Sequence, residues 1–310
     1  MAGLDIQRVG TSLGAIIGGI DLTQPVTEAH AAALRQALLD HQVIFFRNQN
    51  LTGEQFKAVG QVFGKAYPHF VLKNLGGDLK EVTQIYNDGS RQCSPTIDNK
   101  IQWHADGGYY EQPTEATLLL AKELPPYGGD TLFTSMYDAY DMLHPALRRA
   151  VDELQAVHSF PDVSSKTVQA FNANISDDPT MRVDPGSVAG RLQPLVVVHP
   201  QTGRKTLNIN RQFTRQIVGM PEIQARHLFD LLVEHCTSYH EFQVRFQWQV
   251  GSLAIWDNRC TLHRAIADFS TPRMMWRLTI AGTNRLHGPQ LEAPPAALPQ
   301  ATVSGSPRLQ

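Results

Sequence analysis

Beyond residue 101 the chain breaks into short β-type runs, and this segmentation constrains the fold more than any other feature of the sequence. The clearest runs are Ala116–Ala121, Thr131–Ser135, Leu195–His199, Ser252–Trp256 and Arg277–Ala281, all rich in apolar or β-branched residues. Helical patterns interrupt them at Tyr137–Glu153 and Ile223–Cys236, without strict alternation of strand and helix. Strict alternation is what builds a doubly wound parallel sheet, so that architecture is disfavoured. The expected fold is mainly β with peripheral helices, a barrel or jelly-roll sandwich.

The N-terminal third supplies part of the helical cover. Thr11–Leu22 reads as short strands with turns, and Thr27 is placed to cap an alanine-rich helix over Glu28–His41. Gln42–Arg47, with Val43, Ile44, Phe45 and Phe46, reads as a buried strand. Thr52 opens a second helix to about Phe63, with Gln55 at the capping-box position. Residues 67–99 read as a long loop with one strand, Glu81–Tyr86. Loops of that length in compact domains usually serve as lids or binding segments. Residues 1–288 are expected to form one domain, and the proline-rich tail 289–310 to be disordered.

Charge narrows the partners. The net charge is −2, from 27 Lys plus Arg against 29 Asp plus Glu, and no Lys/Arg run exceeds two residues. A nucleic-acid partner would need a phosphate-neutralising patch that is not visible, so a small molecule is expected. The longest apolar stretches, such as Gly14–Ile20, fall far short of a membrane span. Cys93, Cys236 and Cys260 are scattered without a CxxC pair, and Met1–Gly10 carries Asp5 and Arg8 with no apolar core of a signal peptide. A cytoplasmic address is expected, with homo-oligomerisation left open.

Chemistry enters at Trp103-His104-Ala105-Asp106. Side chains two apart in an extended segment share a face, so His104 and Asp106 can point at one ion. An HxD tripeptide is a weak signal in a chain with 12 histidines. It gains weight from His263, which follows a buried strand ending at Trp256 and can supply a third donor. Two imidazoles and one carboxylate form the facial triad that leaves open positions on iron(II). Zinc accepts the same donors, but hydrolytic zinc also needs a general base, and no HExxH helix is present. Downstream, Arg273 and Arg277 share parity in a strand entered from the turn at Thr271-Pro272. A dicarboxylate needs a fixed, always-charged, bidentate partner, which arginine provides better than lysine.

Other tempting residues read as structural. His158, His235 and His240 are expected in core or turn positions, and Cys260 in packing. Asp257 and Asn258 shape the turn before His263 or support the metal site from behind. Gly128-Gly129 is a turn without the ending of a phosphate loop.

Taken together, these residues resemble the taurine dioxygenase family of 2-oxoglutarate-dependent oxygenases, which includes aryloxyalkanoate dioxygenases and alkylsulfatases. The resemblance runs from about Val9 to Gly288 through Gly19–Leu22, Val43–Arg47, Trp103–Asp106, Gly128–Thr131, Trp256–Asn258, His263 and the Arg273/Arg277 pair. It implies a double-stranded β-helix, the cupin-like jelly roll. It implies iron(II) held by His104, Asp106 and His263, with Thr131 and Arg273 on the distal carboxylate of 2-oxoglutarate. Arg277 and His69 then match positions that contact the anionic group of the substrate. The reaction implied consumes O₂, hydroxylates a substrate C–H and yields succinate and CO₂.

Several positions depart from the taurine pattern. Lys100 stands where the family has an asparagine that helps bind taurine, and Tyr109 where it has a phenylalanine. Lys73 falls near a lysine of the (R)-selective aryloxypropionate enzymes. Tyr109, Phe70 and Trp103 are candidates to wall the pocket, each also an ordinary core residue. The departures point away from taurine while keeping an anion site, so a sulfonate, sulfate ester or aryloxyalkanoate is the expected substrate type. A tailoring hydroxylase or desaturase of a secondary metabolite or amino acid, and a non-catalytic jelly-roll binding protein, are the alternatives.

Overall fold

A computed structural model of the chain describes residues 3–69, 72–89, 102–160 and 190–289. Its eight-stranded sheet runs Asp5–Arg8, Ala15–Gly18, Val43–Phe46, Leu253–Asp257, Ala116–Glu123, Arg273–Ile280 and Ala66–Tyr67, with Thr83–Asn87 also paired to Arg273–Ile280. A three-stranded sheet runs Gln243–Phe246, Thr131–Ser135 and Thr261–Ala265. Its neighbours are antiparallel, as are those of the larger sheet except for the parallel pair Ala15–Gly18 and Val43–Phe46.

Period-two alternation sorts the side chains of the large sheet to two sides. Phe45, Ala121, Trp256 and Met275 turn inward and meet Phe133 and Phe246 of the small sheet. Phe45 stacks on Phe246 with ring centroids 4.0 Å apart and meets Phe133 edge-on at 5.7 Å. Burial of such a ring contributes about 1.5–3 kcal/mol. Phe46, Leu120, Ile255 and Leu278 turn outward, beneath the helices Glu28–His41 and Gly53–Gln61. The helices Met136–Asp141 and Glu222–Ser238 cover the outer face of the small sheet, where Trp103 and Leu262 pack with Tyr140 and Leu232.

The expected caps form: Thr27 accepts from the His30 N–H, and Thr52 and Gln55 make the reciprocal capping box. The architecture is mainly β with flanking helices, as expected, with four local differences. The single helix expected over Tyr137–Glu153 is two, Met136–Asp141 and Pro145–Asp152. Proline cannot continue a helix but suits a first turn, so a new helix starts there behind the cap of His144. The last strand, Arg273–Ile280, carries the clear run at Arg277–Ala281 back to the turn at Thr271-Pro272, as the shared parity of the two arginines required, and ends one residue earlier. Leu195–His199 resolves into Val196–Val198 behind a separate strand, Arg191–Pro194. Asp5–Arg8 adds an edge strand that the sequence reading did not anticipate. Phe70, Cys93, Lys100, residues 90–99 of the long loop and the tail beyond Pro289 lie outside the described residues. Among the described residues, no helix is long and apolar enough to cross a membrane.

Candidate metal and dicarboxylate centre

The connection from Leu253–Asp257 to Thr261–Ala265 carries the chain from one sheet to the other, and Asp257 locks it. Its Oδ1 accepts from the Arg259 backbone N–H at 2.9 Å and from Nε at 2.8 Å. Its Oδ2 accepts from Arg259 Nη2 at 2.5 Å and from His199 Nε2 at 3.1 Å. Burial opposes charge on Asp257, but Arg259 and His199 outweigh it and hold the carboxyl well below its usual range. Cys260 is buried beside this group. The set is a lock rather than a metal site, because both nitrogens of His199 are engaged: Nδ1 accepts from the N–H groups of Gln201 and Thr202.

The lock sets the position of His263, and His263 in turn sets His104. The two backbones form an isolated antiparallel bridge, His104 N–H to His263 C=O at 3.1 Å and the reverse at 2.8 Å. Their ring centroids lie 4.2 Å apart. His104 Nδ1 sits 2.8 Å from the Gln102 carbonyl and so carries the proton, leaving a lone pair on Nε2. That Nε2 is 3.7 Å from Asp106 Oδ1, and His263 Nε2 is 3.9 Å from Asp106 Oδ2. Two donors each about 2.1 Å from one ion cannot stand more than about 4.2 Å apart, and both pairs meet that limit.

Electrostatics prepare the same three groups. Burial, reinforced by His104, lowers the His263 pKa to about 3, and burial lowers that of His104 as well. Neutral imidazoles are the form that binds metal. Burial opposes charge on Asp106, but Arg277, both histidines and Thr117 together keep its carboxyl well below the usual range. The donor set fits a divalent metal.

Behind it runs a hydrogen-bonded support. The Asp106 N–H donates to Asn258 Oδ1 at 3.0 Å, which also accepts from Trp256 Nε1 at 3.0 Å. Asn258 Nδ2 donates to Thr117 Oγ1 at 2.9 Å, and that hydroxyl donates to Asp106 Oδ2 at 2.9 Å. Asn258 thus serves both roles expected of it, turn and support. Thr117 was missed; its signal is a lone hydroxyl in the apolar run Ala116–Ala121.

Arg273 and Arg277 do share a face, the inward one, with Met275 between them. Arg277 Nη2 lies 3.0 Å from Asp106 Oδ1, and its buried Nε has no partner. Arg273 is buried, with Nε and Nη2 both unpartnered. Burial lowers its pKa to about 10 against the opposing pull of Asp130, so the guanidinium stays charged at neutral pH. A Cβ on Gly129, whose φ is +72°, would sit 3.1 Å from Arg273 Nε, so the expected glycine turn also makes room for the arginine. Thr131, also buried, accepts from Trp248 Nε1 at 3.0 Å. Buried donors without acceptors are uncommon, and a guanidinium in that condition fits a carboxylate.

The remaining expected residues divide. Burial and the Arg277 charge lower the His69 pKa to about 3, so its ring is neutral at ordinary pH. Tyr109 is buried, its ring centroid 5.0 Å from that of Phe213 and 5.1 Å from that of Phe160. Phe213 meets His104 edge-on at 5.8 Å, so an aromatic cluster adjoins the metal donors. Phe160 and Phe213 come from segments with no motif and were not foreseen. Trp103 packs instead under the helices of the small sheet. Lys73 is exposed, and among the described residues no hydrogen bond or ion pair draws its ammonium group toward the cluster.

Buried neutral histidines predict acid lability of the metal-free protein. His69, His158 and His263 are lowered to about 3, 4 and 3 from 6.5. Below pH 6.5 the unfolded chain binds protons that the folded chain refuses, so stability falls as pH drops toward 4. The slope is about 1.4 kcal/mol per pH unit for each histidine. Thermal unfolding across this range checks it; a constant Tm would contradict it.

A His–Asp–His donor group beside two inward-facing arginines has the make-up of a mononuclear metal site with room for anionic ligands. The chain belongs to the taurine catabolism dioxygenase TauD, TfdA family, whose model matches residues 5–279. It is 33% identical over 301 residues to the (S)-phenoxypropionate/alpha-ketoglutarate-dioxygenase of Delftia acidovorans, covering 93% of this chain and 98% of that relative. It is 32% identical to the alpha-ketoglutarate-dependent sulfate ester dioxygenase of Pseudomonas putida, covering 90% of each. The crystal structure of a taurine dioxygenase from Burkholderia xenovorans superposes with a TM-score of 0.74 at 33% identity, over 92% of this chain and 91% of that one. Membership carries with it dioxygenase chemistry that uses iron(II), 2-oxoglutarate and O₂.

Proposed function

We propose that this protein hydroxylates a C–H of a small anionic organic molecule, of the sulfonate, sulfate ester or aryloxyalkanoate type, and releases succinate and CO₂. The observation that supports this most is the convergence of His104, Asp106 and His263 beside two inward-facing arginines. In this reading the three residues hold iron(II), which supplies the coupling of 2-oxoglutarate decarboxylation and O₂ reduction to oxidation of the substrate. Thr131 and Arg273 hold the far carboxylate of 2-oxoglutarate. Arg277 and the neutral His69 take the substrate anion, while Tyr109 and Phe213 wall its apolar part and limit water. Lys73 would contribute only by moving inward from its exposed position.

The chain's own contribution is placement. A substrate anchored at one charged end presents one C–H in reach, and a ring wall prevents tumbling. We read the two facing sheets as the double-stranded β-helix of the family and residues 1–288 as its single domain. A cytoplasmic setting suits the free, buried thiols of Cys236 and Cys260.

Succinate release by the iron-loaded protein, screened against sulfonates, sulfate esters and aryloxyalkanoates, tests the proposal. Stimulation by at least one class is expected, and none by any class would contradict it. With the responding substrate, Arg277→Ala should raise its KM by about tenfold to a hundredfold, the cost of about 1.5–3 kcal/mol for losing a charged hydrogen bond. The KM for 2-oxoglutarate should move far less. Equal effects on both would refute the division of labour between Arg273 and Arg277.

A further inference from the structure

An indole N–H can donate and cannot accept, so the 3.0 Å bond between Trp248 Nε1 and Thr131 Oγ1 has only one direction. The threonine hydroxyl is the acceptor. Its own proton is turned away from Trp248, and no hydrogen bond among the described residues takes it. The indole itself is held in place. Its ring packs edge-on against Phe246 at 4.9 Å, and Trp248 is only 9% exposed. The same ring lies under Arg273, whose Cζ is 6.0 Å from the ring centroid. That guanidinium has two buried donors without partners.

We propose that Trp248 is a positioning residue for the distal carboxylate of 2-oxoglutarate. It holds the Thr131 hydroxyl as a donor. The inference rests on the assignment of Thr131 and Arg273 to that carboxylate. A freely rotating hydroxyl would present a lone pair to the carboxylate in part of its range, which repels, and fixing it would cost entropy on binding. With the acceptor side occupied by the indole, the hydroxyl is set to donate before the co-substrate arrives. Register places this pair: Phe246 is opposite Thr131, so the chain leaving Gln243–Phe246 carries Trp248 alongside the threonine.

The test is the Kd of 2-oxoglutarate for the full chain loaded anaerobically with iron(II), read from the charge-transfer absorption of the complex. Thr131→Val, Trp248→Phe and the double variant are compared with the unaltered protein. Each single change is expected to weaken binding by about fivefold to tenfold, the loss of one hydrogen bond. The double variant should bind about as weakly as Thr131→Val alone, because the indole acts through the hydroxyl. Thr131→Ser should rescue affinity only while Trp248 is present. Multiplicative losses in the double variant would overturn the inference, as would an unchanged Kd in Trp248→Phe alongside a weakened Thr131→Val. An unchanged Kd in Thr131→Val would instead sink the carboxylate assignment beneath it. Trp248→Met, also without the indole donor, replaces the phenylalanine variant should that one not fold.

Discussion

Asp106→Ala is expected to leave a folded protein that no longer retains iron(II). Asp106 is the only charged donor among the three candidate ligands, since both imidazoles are neutral. It also joins the two histidines: Oδ1 faces His104 and Oδ2 faces His263. Altering groups that merely support metal ligands costs about tenfold to a hundredfold in affinity, so removing the carboxylate should cost more than about a hundredfold. Anaerobic dialysis followed by metal analysis measures this. Retention of one iron per chain by a folded Asp106→Ala protein would remove the residue from the centre. Asp106→Asn keeps the shape while removing the charge, and should also lose most of the affinity.

The second large effect is expected at Arg273. Arg273→Met replaces the guanidinium with an apolar side chain of similar reach. It should weaken 2-oxoglutarate binding by about a hundredfold, equivalent to about 3 kcal/mol for one partner of a buried charge pair. Iron retention should be unchanged. Stability should move the other way. Arg273 is buried with two unpartnered donors, and burial already lowers its pKa to about 10. Replacing such a charge with a packed apolar group is often neutral or stabilising. A Tm at or above that of the unaltered protein, together with lost co-substrate affinity, marks a residue kept for binding. Unaltered 2-oxoglutarate affinity would contradict the assignment.

The metal donors were legible because two of them are neighbours. His104 and Asp106 are two residues apart and His263 follows an apolar strand ending at Trp256, so period and position made them candidates, to which the family resemblance added weight. The arginines were legible for the same reason, through shared parity in one strand. What escaped depends on register between distant segments. Thr117 reaches Asp106 because it stands opposite Trp256 in the large sheet, and Trp248 reaches Thr131 because Phe246 stands opposite that residue in the small one. No local pattern encodes either pairing. Phe160 and Phe213 join Tyr109 through loops whose course only tertiary packing sets. Pro145 carried a readable break that the helical pattern around it obscured. Lys73 was carried over from a resemblance in a loop, where exposure is decided by neighbours far away in the chain.

The central claim is that His104, Asp106 and His263 hold one iron(II) that 2-oxoglutarate can join. Anaerobic titration of the full chain with iron(II) in the presence of 2-oxoglutarate tests it most directly. The account predicts a charge-transfer band that saturates at one iron per chain and is missing from folded His263→Ala. A band of undiminished strength in that variant, or none in the unaltered protein, would contradict it.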